Sequence, residues 1–119
     1  MINLLFLTTL AFASDVYEIC VLETQTWSDH QQDWRTDNVS SFYSSETLQL
    51  IVHENLIEIN RTKKPIQSRE TIDNLPCYRE HKNSLFCHDT VNNLFTWEFH
   101  YRNGRVSREV MKICLINGE

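Results

Sequence analysis

Leu94-Phe95-Thr96-Trp97-Glu98-Phe99-His100-Tyr101-Arg102-Asn103-Gly104-Arg105-Val106-Ser107-Arg108-Glu109-Val110-Met111-Lys112-Ile113-Cys114-Leu115-Ile116 is the stretch that decides the fold. It reads as two long β-strands joined at Asn103-Gly104. Both turn residues tolerate the positive φ of tight hairpins, so the dipeptide is a strong hairpin signal. Two registers compete. A two-residue turn sets Tyr101 against Val106, but it also sets Glu98 against Glu109 and Phe99 against Arg108. A three-residue Arg102-Asn103-Gly104 loop, with Gly104 left-handed, pairs Glu98 with Arg108. It also gathers Phe95, Trp97, Phe99 and Tyr101 on the face of Met111, Ile113 and Leu115. Charge and apolar patterning agree only in the second register, which is the one expected.

Upstream, Pro76 to Val91 reads as another hairpin. A three-residue His81-Lys82-Asn83 loop, with Asn83 left-handed, closes Glu80 against Ser84 and sets Cys77 opposite Cys87. Counting the alternation outward places that pair at a non-hydrogen-bonded position. Cα atoms there are about 4.5 Å apart, within disulfide range. Cys20 and Cys114 are then left to each other, tying the first strand to the last. An even number of cysteines in a small exported chain implies such bridges.

Thr47 to His53 opens a further hairpin around a two-residue Glu54-Asn55 turn, with Asn55 left-handed. Leu50 faces Ile59, Val52 faces Ile57, and Ile51 faces Glu58. Asp15 to Trp27 alternates as a strand with apolar residues on both faces. Trp27 to Asn38 has no period of two and reads as a polar loop with room for one helical turn. Ser40 to Ser45 is a short strand, and Arg61 to Asn74 a polar, irregular, mobile connection. The expectation is all-β: an antiparallel meander of about seven or eight strands, tied by disulfides into a closed or half-closed barrel or sandwich. An open, curved sheet is the alternative.

Residues 1–13 read as a signal peptide. Leu4 to Ala13 is apolar apart from two threonines, too short to span a bilayer, and ends in Ala11-Phe12-Ala13. Cleavage would fall before Ser14 and leave one domain, 14–119, in a secreted or periplasmic location. The absence of Lys and Arg before Leu4 leaves an apolar N-terminal strand as the alternative. No second apolar segment reaches membrane-spanning length, so no membrane association is expected after cleavage. Two glycines and two prolines argue against a disordered chain. A net charge of −5 disfavours docking on nucleic-acid phosphates.

Chemistry is less legible. His30, His53, His81, His88 and His100 show no metal-binding spacing, although His53-Glu54 and Cys87-His88-Asp89 invite that reading. No nucleophile elbow or phosphate loop occurs, so no catalytic residue, metal or cofactor is assigned. Asn38-Val39-Ser40 and Asn60-Arg61-Thr62 are glycosylation acceptors in a eukaryotic host. Trp27, Trp34, Trp97 and Tyr101 are the candidate ligand-binding residues, because large aromatics dominate recognition surfaces. Folding back to cap or fill the core is the competing role for the three tryptophans. The functional expectation is a binding or accessory protein for a protein or small-molecule ligand. A small secreted hydrolase or metal-dependent enzyme using His and carboxylate side chains is the alternative. A subunit that lends an edge strand to its partner is a third reading.

Overall fold

The computed structural model describes residues 14–42, 48–81 and 83–116. The expected leader, the end of the Ser40–Ser45 strand and Lys82 lie outside these residues. So does the side chain of Leu115. Ten strands form: β1 (Asp15–Ser28), β2 (Asp33–Ser41), β3 (Leu48–Val52), β4 (Leu56–Ile59) and β5 (Thr62–Pro65), then β6 (Ser68–Ile72), β7 (Leu75–His81), β8 (Ser84–Asp89), β9 (Leu94–His100) and β10 (Val106–Ile116). All pair antiparallel in one sheet, ordered β5-β4-β3-β1-β10-β9-β8-β7-β6, with β2 also on β1. The described residues contain no helix long and apolar enough to cross a membrane.

The β9–β10 hairpin adopts the three-residue loop. Glu98 pairs with Arg108 and Phe95 with Met111. Tyr101 N donates to Arg105 O at 2.8 Å, and Gly104 sits at φ +88°. Cys20–Cys114 and Cys77–Cys87 are both bonded. The pairs Leu50–Ile59, Val52–Ile57 and Ile51–Glu58 also form.

β1 is the axis. One edge carries β10 from Tyr17 to Thr26. The other edge is divided: Asp15–Ile19 pairs with β3, and Val21–Ser28 pairs with β2. The β1–β10 ladder shifts register around Cys20, and the Cys20–Cys114 bridge lies at that irregularity.

Four expectations are corrected. Residues 27–38 are not a loop: β1 runs to Ser28, a short turn follows, and β2 starts at Asp33. Gln32 takes φ 53° there, and Ser28 Oγ accepts from Gln31 N at 3.2 Å. The turn is symmetric about Trp27 and Trp34, which face each other across the two strands. Residues 61–74 are not irregular either. They hold β5 and β6, framed by Asn60-Arg61 (φ 46° and 73°) and Asp73-Asn74 (φ 52° and 66°). Two consecutive left-handed residues make the tight hairpin turn whose twist suits a β-ribbon. These strands raise the count above the expected seven or eight. The β7–β8 hairpin closes His81, not Glu80, against Ser84, through a shift between Arg79 and His81. The Glu54-Asn55 turn closes, with His53 N donating to Leu56 O at 2.9 Å, but Asn55 is not left-handed.

The sheet rolls without closing. Only Ile66 and Gln67 separate β5 from β6, and their amides donate to Asn55 O and Arg79 O, both at 2.8 Å. Arg69 donates to Glu54 O across the gap, and Lys64 Nζ sits 4.0 Å above the Trp97 ring. Inside the roll lie Ile19, Leu50, Ile57, Phe86, Phe95, Trp97, Met111 and Ile113. Phe95 is at the centre, against Tyr17 at 5.0 Å, Phe86 at 5.2 Å and His88 at 4.3 Å.

His88 stacks on Phe95, and burial pushes its imidazole below the ordinary value, partly opposed by Asp15 and Asp89. A lowered folded pKa means the unfolded chain binds more protons between the two values. Stability is therefore full above about pH 6.5 and falls as pH drops below it. His88→Phe is expected to shrink the loss of melting temperature between pH 7.5 and pH 5. An equal loss in both proteins would refute the assignment.

Candidate functional site

The rolled core occupies one part of an elongated molecule, 61 × 34 × 26 Å. Beyond it the distal halves of β1 and β2, with the β9–β10 turn, continue as an arm. Side chains alternate across this ribbon, giving it two chemically different faces.

The concave face continues the core outward. Phe95, Trp97 and Phe99 on β9 face Met111, Glu109 and Ser107 on β10. Apolar residues give way to polar ones, and the face opens into a cleft of about 480 Å³. Thr24 and Thr26, Arg35 and Asp37, and Tyr101 and Arg105 complete its walls. Asp37 is the extra residue where the β1–β2 ladder shifts register, and the bulge turns it toward Thr26. Thr26 Oγ1 donates to Asp37 Oδ2 at 2.5 Å, and Arg35 Nε donates to Oδ1 at 3.2 Å. The Thr26 hydrogen bond, aided by Arg35, holds this carboxylate below its ordinary range. Arg105 lies 5.5 Å from the Tyr101 ring, and Ser107 Oγ donates to Tyr101 Oη at 3.3 Å.

Glu109 is the outlier. It is half-buried opposite Trp97 at the boundary between core and cleft. Burial pushes its carboxyl above the ordinary value, partly offset by Lys64. A carboxylate on the apolar face of a strand is costly to the fold and marks a candidate site.

The convex face carries the two other tryptophans. Trp27 and Trp34 meet edge-to-face at 5.4 Å, and Trp27 Nε1 donates to Asp29 Oδ1 at 3.0 Å. The Arg108 guanidinium lies 4.1 Å over Trp34 and donates to Gln25 Oε1 at 2.6 Å. This stack fastens β2 to β1 and β10.

The four aromatic candidates therefore separate. Trp97 is 6% exposed, in the core beneath Lys64. Tyr101 is 49% exposed on the concave side, and Trp27 and Trp34 pair on the convex side. Arg35, Asp37, Arg105 and Glu109 are not among the ligand-binding residues expected from the sequence. Glu109 was legible, because the chosen register already sets it opposite Trp97. Arg35 and Asp37 need the β1–β2 ladder, whereas Arg105 is set by the β9–β10 turn.

Between Ile57, Lys64, Ile66, Tyr78, Glu80 and Trp97 the roll leaves a partly open space of only about 10 Å³, the size of one water. Among the described residues no three His, Cys, Asp or Glu side chains converge to hold a metal. β2 pairs only with β1 among the described strands, but Asp33, Arg35 and the Asp37 bulge make it a poor edge to extend. The two disulfides fit an oxidising compartment. No protein-family model, curated protein or solved structure matches the chain.

Proposed function

We propose that this chain is a binding domain of an exported protein, and that a polar ligand seats in the concave cleft of the arm. The observation that carries the reading is Glu109, a half-buried carboxylate where core side chains meet a wide, charged cleft. The cleft offers Tyr101 as an aromatic surface, Arg35 and Arg105 as cationic donors, and Asp37 and Glu109 as acceptors. A few convergent polar groups beside aromatic rings are what ligand sites use for orientation. The expected leader over residues 1–13 and the two disulfides agree with export.

The test is a titration of isotope-labelled protein with a panel of neutral and acidic oligosaccharides and short charged peptides. Chemical-shift changes are expected at Tyr101, Arg105 and Glu109. Arg105→Ala is expected to weaken the ligand so found by about tenfold or more, the usual scale of a lost charge-assisted hydrogen bond. Shifts confined to β2 or to Trp27 and Trp34, with the cleft unmoved, would place recognition elsewhere.

A further inference from the structure

At the other end of β1 from the arm, three side chains form a hydrogen-bonded chain. Ser14 Oγ lies 2.7 Å from His53 Nδ1, and His53 Nε2 lies 3.1 Å from Glu58 Oε1. The fold brings them together from two places. Pairing of Asp15 with Val52 sets Ser14 beside His53. The tight turn after β3 returns the chain so that Glu58, opposite Ile51, shares the face of His53. That turn is anchored from outside: Asn55 O accepts from Ile66 N at 2.8 Å, and Glu54 O accepts from Arg69. The trio opens onto a cleft of about 380 Å³ that Leu56 and Lys63 also line.

We propose that Ser14, His53 and Glu58 are nucleophile, general base and orienting carboxylate for the hydrolysis of small carboxylic esters. Hydroxyl, imidazole and carboxylate follow one another at hydrogen-bond distance, which is the order covalent acyl transfer requires. A carboxylate oxygen accepts, so Glu58 Oε1 accepts from the imidazole proton on Nε2. Nδ1 is then the free base facing the Ser14 hydroxyl. Ser14 Oγ attacks the ester carbonyl carbon while its proton passes to His53 Nδ1. The carbon–alkoxy bond breaks, and the same proton leaves with the alcohol. Water, deprotonated by His53, then attacks the acyl-serine and releases the acid, restoring the Ser14 hydroxyl. One ester and one water give one acid and one alcohol. Lys63, the cross-strand neighbour of Glu58, brings positive charge to the cleft where the oxyanion develops. Ser14 is exposed beside a wide cleft, and water there weakens such electrostatic help, so activated esters are the substrate class and peptides are not. This chemistry does not rest on the arm cleft.

The test uses the full chain with p-nitrophenyl acetate at mildly alkaline pH. The expected result is a burst of p-nitrophenol and one hydroxylamine-labile acetyl on the Ser14 peptide. Ser14→Ala is expected to abolish both, and His53→Gln to slow turnover by about a hundredfold or more. Glu58→Gln is expected to slow turnover while leaving the melting temperature close to wild type, since the amide keeps the shape of the part-buried carboxylate and an oxygen that accepts from His53 Nε2. Turnover by Ser14→Ala at the wild-type rate would overturn the proposal. So would acetyl found only as a hydroxylamine-resistant amide.

Discussion

Phe95→Ala is expected to cost about 3–5 kcal/mol, the range for emptying a large aromatic from a packed core. The net stability of a small domain is about 5–15 kcal/mol, so the variant should sit near the edge of folding. Phe95 is 0% exposed and touches Tyr17, Phe86 and His88. Those partners come from β1 and β8, either side of the β9–β10 hairpin in the sheet. Truncation removes the ring and leaves three aromatics facing a void that a rolled sheet cannot easily collapse. Urea unfolding gives the measurement. At the usual dependence of about 1–3 kcal/mol per molar urea, the midpoint should fall by more than about 1 M. Val91, 86% exposed at the β8–β9 turn, serves as the control, with Val91→Ala expected within about 0.5 kcal/mol of wild type. Similar midpoints for the two variants would show that the core is not centred on Phe95.

The second large effect is the bridge between β1 and β10. Cys20–Cys114 spans 94 residues of sequence, whereas Cys77–Cys87 spans 10. In the loop-entropy description a closed loop of nearly one hundred residues contributes about 4–5 kcal/mol, and a loop of about ten residues contributes about 3 kcal/mol. Cys20→Ser with Cys114→Ser should therefore lower stability more than Cys77→Ser with Cys87→Ser. The ordering has a structural counterweight: Cys77 is buried, whereas Cys114 is exposed, so removing the short bridge also disturbs packing. Denaturation of both double variants under non-reducing conditions compares the two terms. A more stable Cys20/Cys114 variant would mean that native packing at Cys77 outweighs chain entropy.

Three hairpins were legible in the sequence because apolar alternation marks both strands of each, while turn chemistry gave the right closure and left-handed residue only at Arg102-Asn103-Gly104. Leu50 and Val52 meet Ile57 and Ile59, Tyr78 meets Phe86, and Phe95 meets Met111. β2, β5 and β6 were not legible, for one shared reason. They are edge strands whose side chains face mostly water, so no alternation is written into Asp33–Ser41, Thr62–Pro65 or Ser68–Ile72. Their turns carried the missing signal. Asp73-Asn74 between Ile72 and Leu75 is a tight-turn pair, while Arg61 takes a left-handed conformation that its residue type does not advertise. The candidate cleft was hidden because Asp37 is distant in sequence from Arg105 and Glu109 and meets them only through two ladders and a bulge. The Ser14–His53–Glu58 chain was hidden for the same reason: β3 must lie on β1 before the serine reaches the imidazole.

The bridge at the β1 irregularity also has a mechanical consequence. β1 and β10 run antiparallel, so a pull applied at Ser14 and Ile116 acts as a zipper on adjacent strands, breaking one hydrogen-bonded pair at a time. The load meets the Cys20–Cys114 bond after only a few residues. Beyond that bond the chain is shielded, because tension takes the covalent path between the two sulfurs. The oxidised protein should thus lengthen by only a few residues' worth of contour, about 3.3–3.6 Å each, before it becomes inextensible. Reduction would release the 94-residue span to the force. The core and arm are held in a loop that tension does not enter while the bridge is intact.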